Sequence, residues 1–328
     1  MPEAALLSVK DLVKVFPSRE GKELRAVDGV SIEVRRGSTF GLVGESGSGK
    51  STLSRCILRL LRPDAGTVSF DGQDMASISA ARVRRLRSRI QVVFQDPHGS
   101  LNRSKAVSDI VGAPLAAHRS GNRAARSARV AELLDLVQLP AAMAARKPRE
   151  LSGGQAQRVA IARALALNPD FVVLDEAVSA LDVSVRAQIL NLLRELQGEL
   201  GLTYLFISHD LGVVRYISQD IAVMYRGRII EVGPREQLFA APQHPYTRLL
   251  LDAVPIADPS RQRARMRLLG EQTGASDRPD LPDDAGCRFR SRCPVGADRE
   301  RCATEDPRLE PHAAGGTLAA CHYAGEIS

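Results

Sequence analysis

With 328 residues, 44% of them apolar and 25% charged, the chain exceeds one typical domain, can bury an ample core and has the balance of an ordinary soluble globular protein. No run approaches the roughly 18 apolar residues that cross a bilayer, and Met1-Pro2-Glu3 begins no signal peptide, which sets the expectation of a chain that stays in the cytoplasm. A formal net charge of +7 and a pI near 9.4 suit nucleic acid or an anionic membrane surface, but the strongest basic cluster, Arg82-Val83-Arg84-Arg85-Leu86-Arg87-Ser88-Arg89, reads as one solvated or membrane-proximal helix face.

Residues 6 to 97 alternate short strands and turns, punctuated by Pro63-Asp64-Ala65-Gly66 and Asp71-Gly72. Within them Val43-Gly44-Glu45-Ser46-Gly47-Ser48-Gly49-Lys50-Ser51-Thr52 fits G-x-x-x-x-G-K-[ST], between an apolar run and a helix-like stretch. Gly44, Gly47 and Gly49 free the backbone so that successive N–H groups converge on phosphates at the N-terminus of the next helix. Lys50 then reaches the β- and γ-phosphates and the Ser51 hydroxyl ligates Mg²⁺, with Ser46 and Thr52 in the same nucleotide-binding set. Cys56, on that helix, reads as a small buried residue.

The stretch from 98 to 154 is rich in Ala and Arg and helical in period, as in Val130-Ala131-Glu132-Leu133-Leu134-Asp135-Leu136-Val137. It ends at Leu151-Ser152-Gly153-Gly154-Gln155, which opens a helix, so that the Ser152 hydroxyl and a second set of N–H groups face outward as an anion site. One nucleotide does not need two phosphate cradles. After the turn Asn168-Pro169-Asp170 comes Phe171-Val172-Val173-Leu174-Asp175-Glu176, a buried parallel strand ending in two acids. Ligands of open α/β sheets bind at the carboxyl ends of strands, which places Asp175 to hold the Mg²⁺ shell and Glu176 to polarise an attacking water as general base. The α/β pattern runs to about 240, and 257 to 286, rich in Arg, Asp, Gly and Pro, reads as a loose linker.

Four of the five cysteines, Cys287, Cys293, Cys302 and Cys321, follow residue 286. Structural disulfides are disfavoured in a reducing cytosol. Four thiolates at one terminus can ligate a [4Fe–4S] cluster or a tetrahedral zinc, or stay uncoordinated, and their spacing matches neither CxxC zinc modules nor ferredoxin runs.

The phosphate loop, LSGGQ and the LDE strand end together resemble the ATPase subunits of ABC (ATP-binding cassette) systems. The resemblance implies an α/β P-loop NTPase fold: a RecA-like nucleotide-binding lobe from 1–97 and 155–240 with an antiparallel β edge, a helical signature subdomain over 98–154, and a small Cys-containing extension over 241–328. It implies ATP and Mg²⁺ as cofactors and a head-to-tail dimer in which Ser152, Gly154 and Gln155 of one subunit close over the ATP of the other. Gln95, in Val92-Val93-Phe94-Gln95-Asp96, matches the Q-loop that contacts Mg²⁺ and water and links the site to a membrane partner. Asp182, in Ser179-Ala180-Leu181-Asp182, matches the D-loop that crosses the dimer interface. His209, in Phe206-Ile207-Ser208-His209-Asp210, matches the switch histidine that senses the γ-phosphate. Phe16 stands where an aromatic stacks on adenine, core packing being its alternative. Catalysis would thus rest on Glu176, His209 and Gln95, and Mg²⁺ on Ser51, Gln95 and Asp175. Ala177 replaces the family's usual proline, and Asn102-Arg103 interrupts the pattern typical after the Q-loop; neither removes a catalytic group.

The segment from Val178-Ser179-Ala180-Leu181-Asp182-Val183 to Leu193, His244-Pro245-Tyr246-Thr247 with Leu249-Leu250 and Pro255 behind it, and Gly286-Cys287 onward are similar to ATPase subunits of oligopeptide and dipeptide importers, most of all the F-type subunit. That branch also includes nickel and glutathione importers. HPYT taken alone reads as a Pro-rich turn capping a helix. The resemblance implies ATP hydrolysis powering peptide import at the cytoplasmic face of the cell membrane. Its partners would be a second ATPase subunit, a D-type paralogue or another copy, two permease subunits and an extracytoplasmic solute-binding protein. Some tails of this branch carry an iron–sulfur cluster, which tips the four cysteines toward [4Fe–4S]. DNA-repair and chromosome-structuring ABC ATPases insert long coiled coils or zinc modules between Gln95 and Leu151, where this chain has a compact helical stretch, so no nucleic acid is expected.

Overall fold

The computed structural model describes residues 5–17, 23–253, 286–312 and 316–326. Met1-Pro2-Glu3, Pro255 and all but the last residue of the 257–286 stretch lie outside the described residues. Two long strands, β1 (Ala5–Pro17) and β2 (Glu23–Arg35), precede β3 (Thr39–Val43), the phosphate loop and helix α1 (Lys50–Ile57). Strands β4 (Ala65–Phe70) and β5 (Gln73–Asp74) are joined by Asp71 and Gly72, whose φ values of 51° and 73° suit a tight hairpin turn. Helix α2 (Ala80–Arg89), capped by the Ser79 hydroxyl, feeds β6 (Ile90–Val93) and the short α3 (Pro97–Ser100). Helices α4 (Val107–Ala117), α5 (Arg123–Leu136) and α6 (Gly153–Leu165) follow. The chain then alternates through β7 (Phe171–Asp175), α7 (Val183–Leu200), β8 (Thr203–Ser208), α8 (Leu211–Ile217), β9 (Asp220–Tyr225), β10 (Arg228–Pro234), α9 (Arg235–Ala240) and α10 (Pro245–Ala253). Helix α11 (Glu300–Thr304) and the two-residue strands β11 (Glu310–Pro311) and β12 (Leu318–Ala319) complete the described tail.

These elements form two compact units, each assembled from discontinuous segments. The described residues of the first lie in 5–12, 31–40 and 51–208. In it β6, β7 and β8 run parallel, with β6 at the edge of the sheet, Val93 beside Leu174 and Asp175 beside Ile207. Every residue of β7 and β8 is buried, as a parallel strand covered on both faces requires. The unbroken apolar run therefore delivers Asp175 and Glu176 to the strand's carboxyl end. Helices α4, α5 and α6 pack on one another, and α6 turns Ala156, Val159, Ala160, Ile161, Ala162 and Ala164 inward.

The described residues of the second unit lie in 13–17, 23–30, 41–50, 209–253, 286–312 and 316–326. Its β9–β10 hairpin turns at Arg226 and Gly227, at φ 41° and 85°, and β12 adds antiparallel to β10, with β11 outside it. Tyr225 and Tyr246 stand 4.7 Å apart by ring centroids, and Phe289 lies 5.4 Å from each, so β9, α10 and the tail share one aromatic core. Buried Asp28 takes Arg25, Arg228 and Arg288 as partners; burial alone would raise its carboxyl, but the three guanidinium groups hold it below the ordinary range.

Candidate active site

The phosphate loop is shaped by close backbone approach. A Cβ on Gly44 would lie 2.1 Å from the Met224 carbonyl oxygen, and one on Gly49, at φ 106°, would lie 2.1 Å from that of Ala26. Only glycine fits either place. The loop curls around Lys50, which is 4% exposed and donates from Nζ to the carbonyls of Gly44 at 2.7 Å and Glu45 at 2.8 Å. A cation is thus fixed at the floor of a loop whose N–H groups lead into α1, the arrangement that binds phosphate.

In the first unit the predicted metal and base residues come together. The Ser51 and Ser54 hydroxyls donate to the two Asp175 carboxylate oxygens at 3.4 and 3.3 Å. Burial pushes Asp175 above the usual carboxylate range and the Glu176 charge adds to this, while the two serines pull the other way. Hydroxyl and carboxylate oxygens are the hard donors that Mg²⁺ takes, and a dication there would stabilise the ionised carboxylate. Gln95 donates from Nε2 to Glu176 Oε2 at 2.9 Å, so Gln95 and Glu176 act as a bonded pair. Glu176 itself has φ 49°, a left-handed conformation that costs a non-glycine residue on the order of 1–3 kcal/mol. It is held there by its N–H, which donates to Ile207 O at 2.9 Å, and by its carbonyl, which accepts from the Ser179 N–H at 3.1 Å and hydroxyl at 2.9 Å.

The LSGGQ segment is a closed capping box: Ser152 Oγ accepts from the Gln155 N–H at 3.3 Å, and Gln155 Oε1 accepts from the Ser152 N–H at 3.0 Å. Gln155 therefore shapes the cap. A Cβ on Gly154 would come within 2.5 Å of Val185 Cγ1, so this glycine lets α7 lie against the start of α6. Asp182 stands exposed at the cap position of α7. His209 is exposed immediately after β8, and the next turn is fixed by Asp210, which accepts from the N–H groups of Gly212 and Val213 at 2.8 and 3.3 Å. Phe16 is half-buried, with the Lys14 ammonium 5.5 Å from its ring centre.

Residues 27–179 match the ABC transporter family model and residues 230–302 the model of the oligopeptide/dipeptide transporter C-terminal region. A peptide import ATP-binding protein of Brucella ovis is 48% identical over 94% of this chain and 95% of its own length. The chain belongs to the ATP-binding subunits of ABC transporters, in the oligopeptide/dipeptide branch. The oligopeptide transport ATP-binding protein AppF of Bacillus subtilis is 44% identical over 98% of each chain. The solved cassette MJ0796, a dimer in a post-hydrolysis state with ADP and phosphate, overlays 70% of this chain and 98% of its own at a TM-score of 0.64 and 31% identity. As an ABC ATPase this chain hydrolyses ATP on the α/β P-loop fold, and among the described residues no helix is long and apolar enough to cross a membrane.

The parts of this ABC ATPase that sequence reasoning did not place lie around HPYT and the tail. Glu231, fully buried on β10, accepts from the N–H groups of Gln243 and His244 at 2.8 and 2.9 Å, and His244 Nδ1 accepts from the Tyr246 N–H at 3.0 Å. HPYT does cap a helix, with a histidine whose burial holds its pKa down to about 3. Tyr246 reaches further: its hydroxyl accepts from the Glu45 N–H, in the phosphate loop, at 3.0 Å. Arg292 closes on the same residue, donating from Nη1 and Nη2 to the Glu45 carboxylate at 2.9 and 2.8 Å. Tyr246 was visible only as a branch marker and Arg292 only as a neighbour of Cys293.

Cys287, Cys293, Cys302 and Cys321 all line one cavity in the second unit. Burial pushes the Cys287 thiol up to about 11 and that of Cys321 up to about 12, and the neighbouring cysteines push the same way. Among the described residues no group of three or more His, Cys, Asp or Glu side chains is positioned to hold a metal ion. Cys56 is buried at 2% exposure on α1, as its small-residue reading requires.

Proposed function

We propose that this ABC ATPase powers import of di- and oligopeptides. The observation that carries the substrate class is the match of residues 230–302 to the oligopeptide/dipeptide transporter C-terminal region, and the peptide-import names of its relatives support it. ATP is bound by Gly44, Ser46, Gly47, Gly49, Lys50, Ser51 and Thr52, with Phe16 against the base. Ser51, Asp175 and Gln95 would hold Mg²⁺, which would supply positive charge against the phosphates. Ser152, Gly154 and Gln155 of a partner ATPase close over the γ-phosphate, Asp182 lies at the dimer interface, and Glu176 holds the attacking water with His209 sensing the phosphate. The domains divide at about 97, 154 and 240. Closure and reopening of the dimer act on two permease subunits served by a solute-binding protein, which places the chain at the cytoplasmic face of the membrane. Vesicles carrying the assembled importer are expected to accumulate labelled di- or oligopeptide only when ATP is supplied on the ATPase side. Accumulation of nickel or glutathione with no peptide uptake would assign the chain the same role in a nickel or glutathione importer of this branch.

A second reading, carried by the cavity that all four tail thiols line, is a [4Fe–4S] cluster on Cys287, Cys293, Cys302 and Cys321. Buried thiols of raised pKa are neutral, and a bound soft metal converts them to thiolates. The four thiols line one cavity, and four cysteine thiolates are the ligand set that a [4Fe–4S] cluster takes. The cluster would tie together a tail poor in apolar bulk. Protein purified without oxygen should be coloured and contain iron and sulfide in stoichiometric amounts. One zinc per chain would select zinc, and neither metal would leave uncoordinated thiols.

A further inference from the structure

We infer that Arg292, in the cysteine-bearing tail, is a positioning residue for the phosphate loop: its guanidinium neutralises Glu45 so that the loop can receive a polyanion. The inference rests on the reading of 44–52 as the ATP-phosphate loop.

The starting point is a charge that the loop itself does not need. Glu45 follows the first glycine of the motif, and a carboxylate there repels the phosphates that Lys50 and the loop N–H groups attract. Its backbone is fully engaged, the carbonyl by Lys50 Nζ at 2.8 Å and the N–H by the Tyr246 hydroxyl at 3.0 Å. Its side chain receives the two-pronged fork of Arg292 at 2.8 and 2.9 Å, a geometry that a lysine could not reproduce. That guanidinium is not a loose surface group. It lies 5.8 Å from the ring centre of Phe289 and 5.9 Å from those of Tyr225 and Tyr246, and the short turn Arg290–Arg292 that bears it leads straight into Cys293. The hydrogen bonds from Arg292 hold the Glu45 carboxyl below its ordinary range despite partial burial. Both partners are 43% exposed, so the stability that the pair adds is small. Its consequence lies in the potential at the loop.

Two roles predict different signs. If the pair only clamps the loop, removing either partner loosens ATP alike. If Arg292 masks a repulsive charge, Arg292→Ala exposes Glu45 and weakens ATP, whereas Glu45→Gln removes the repulsion, leaves Arg292 as an added cation and tightens ATP. Titrating the full chain with a fluorescent ATP analogue and Mg²⁺ at low salt should show R292A binding about fivefold weaker, the low end of ordinary site-to-site coupling. E45Q should bind tighter than the unaltered chain, and the E45Q/R292A double variant should return close to it. Raising salt should shrink both single-variant differences, since the charges are half-exposed. Lys50→Ala run alongside separates the failures: if K50A binds as the unaltered chain does, the phosphate-loop reading fails. If K50A loses the analogue while E45Q and R292A both loosen, or neither moves, the masking role is overturned. Should R292A not fold, E45Q still separates the two roles, because a clamp alone predicts looser binding.

Discussion

Replacing Glu176 by glutamine should slow ATP hydrolysis by about 10³-fold, within the range that a general base contributes, while ATP stays bound. The side chain keeps its size and can still pair with the Gln95 amide, which donates to Glu176 Oε2 at 2.9 Å. What it loses is the ability to take a proton from water. The strained φ of 49° and the bonds to Ile207 and Ser179 involve only backbone and neighbouring groups, so they survive the exchange and the loop should keep its shape. With hydrolysis stalled, ATP should hold the subunits in a closed pair. Single-turnover hydrolysis and size-exclusion chromatography with ATP and Mg²⁺ read the two effects; turnover at the native rate would remove Glu176 from the role of base.

Lys50→Ala should weaken ATP binding by about 100-fold, as loss of charge-assisted hydrogen bonds of 1.5–3 kcal/mol implies. The ammonium is the cation at the floor of the loop, and it also holds the carbonyls of Gly44 and Glu45. Alanine therefore removes both the proposed phosphate contact and the group around which the loop is wound. Calorimetric titration with ATP and Mg²⁺ measures the first effect, and a thermal melt without nucleotide measures the second. Native affinity would take Lys50 out of the site.

The site was legible in the sequence wherever a short segment encodes its own backbone geometry. Gly44 and Gly49 are glycine because carbonyls of Met224 and Ala26 press on them, and the run of four apolar residues before Asp175 and Glu176 is the pattern of the buried parallel strand that it forms. Ser152 announced a helix start for the same local reason. The sequence concealed what depends on distant partners. Gln155 turns back onto its own cap, and Gly154 is small because Val185 leans on it. Glu45 looked like one of the free positions of the motif, since nothing near it in sequence names Tyr246 or Arg292. HPYT announced its branch but hid its mechanics, because Glu231, the acid that receives its N–H groups, sits on another element.

The partners of Glu45 also set a timetable for biosynthesis. Tyr246 is 201 residues further along the chain and Arg292 is 247, so a ribosome adding about 5–20 residues per second leaves the loop without its tail for roughly 12–50 s. During that interval Lys50 can already be wrapped by its own loop, but Glu45 carries an unmasked charge. The nascent chain should therefore acquire firm nucleotide binding late, once the tail has emerged and docked, and a chain truncated before Arg292 would remain in that immature condition.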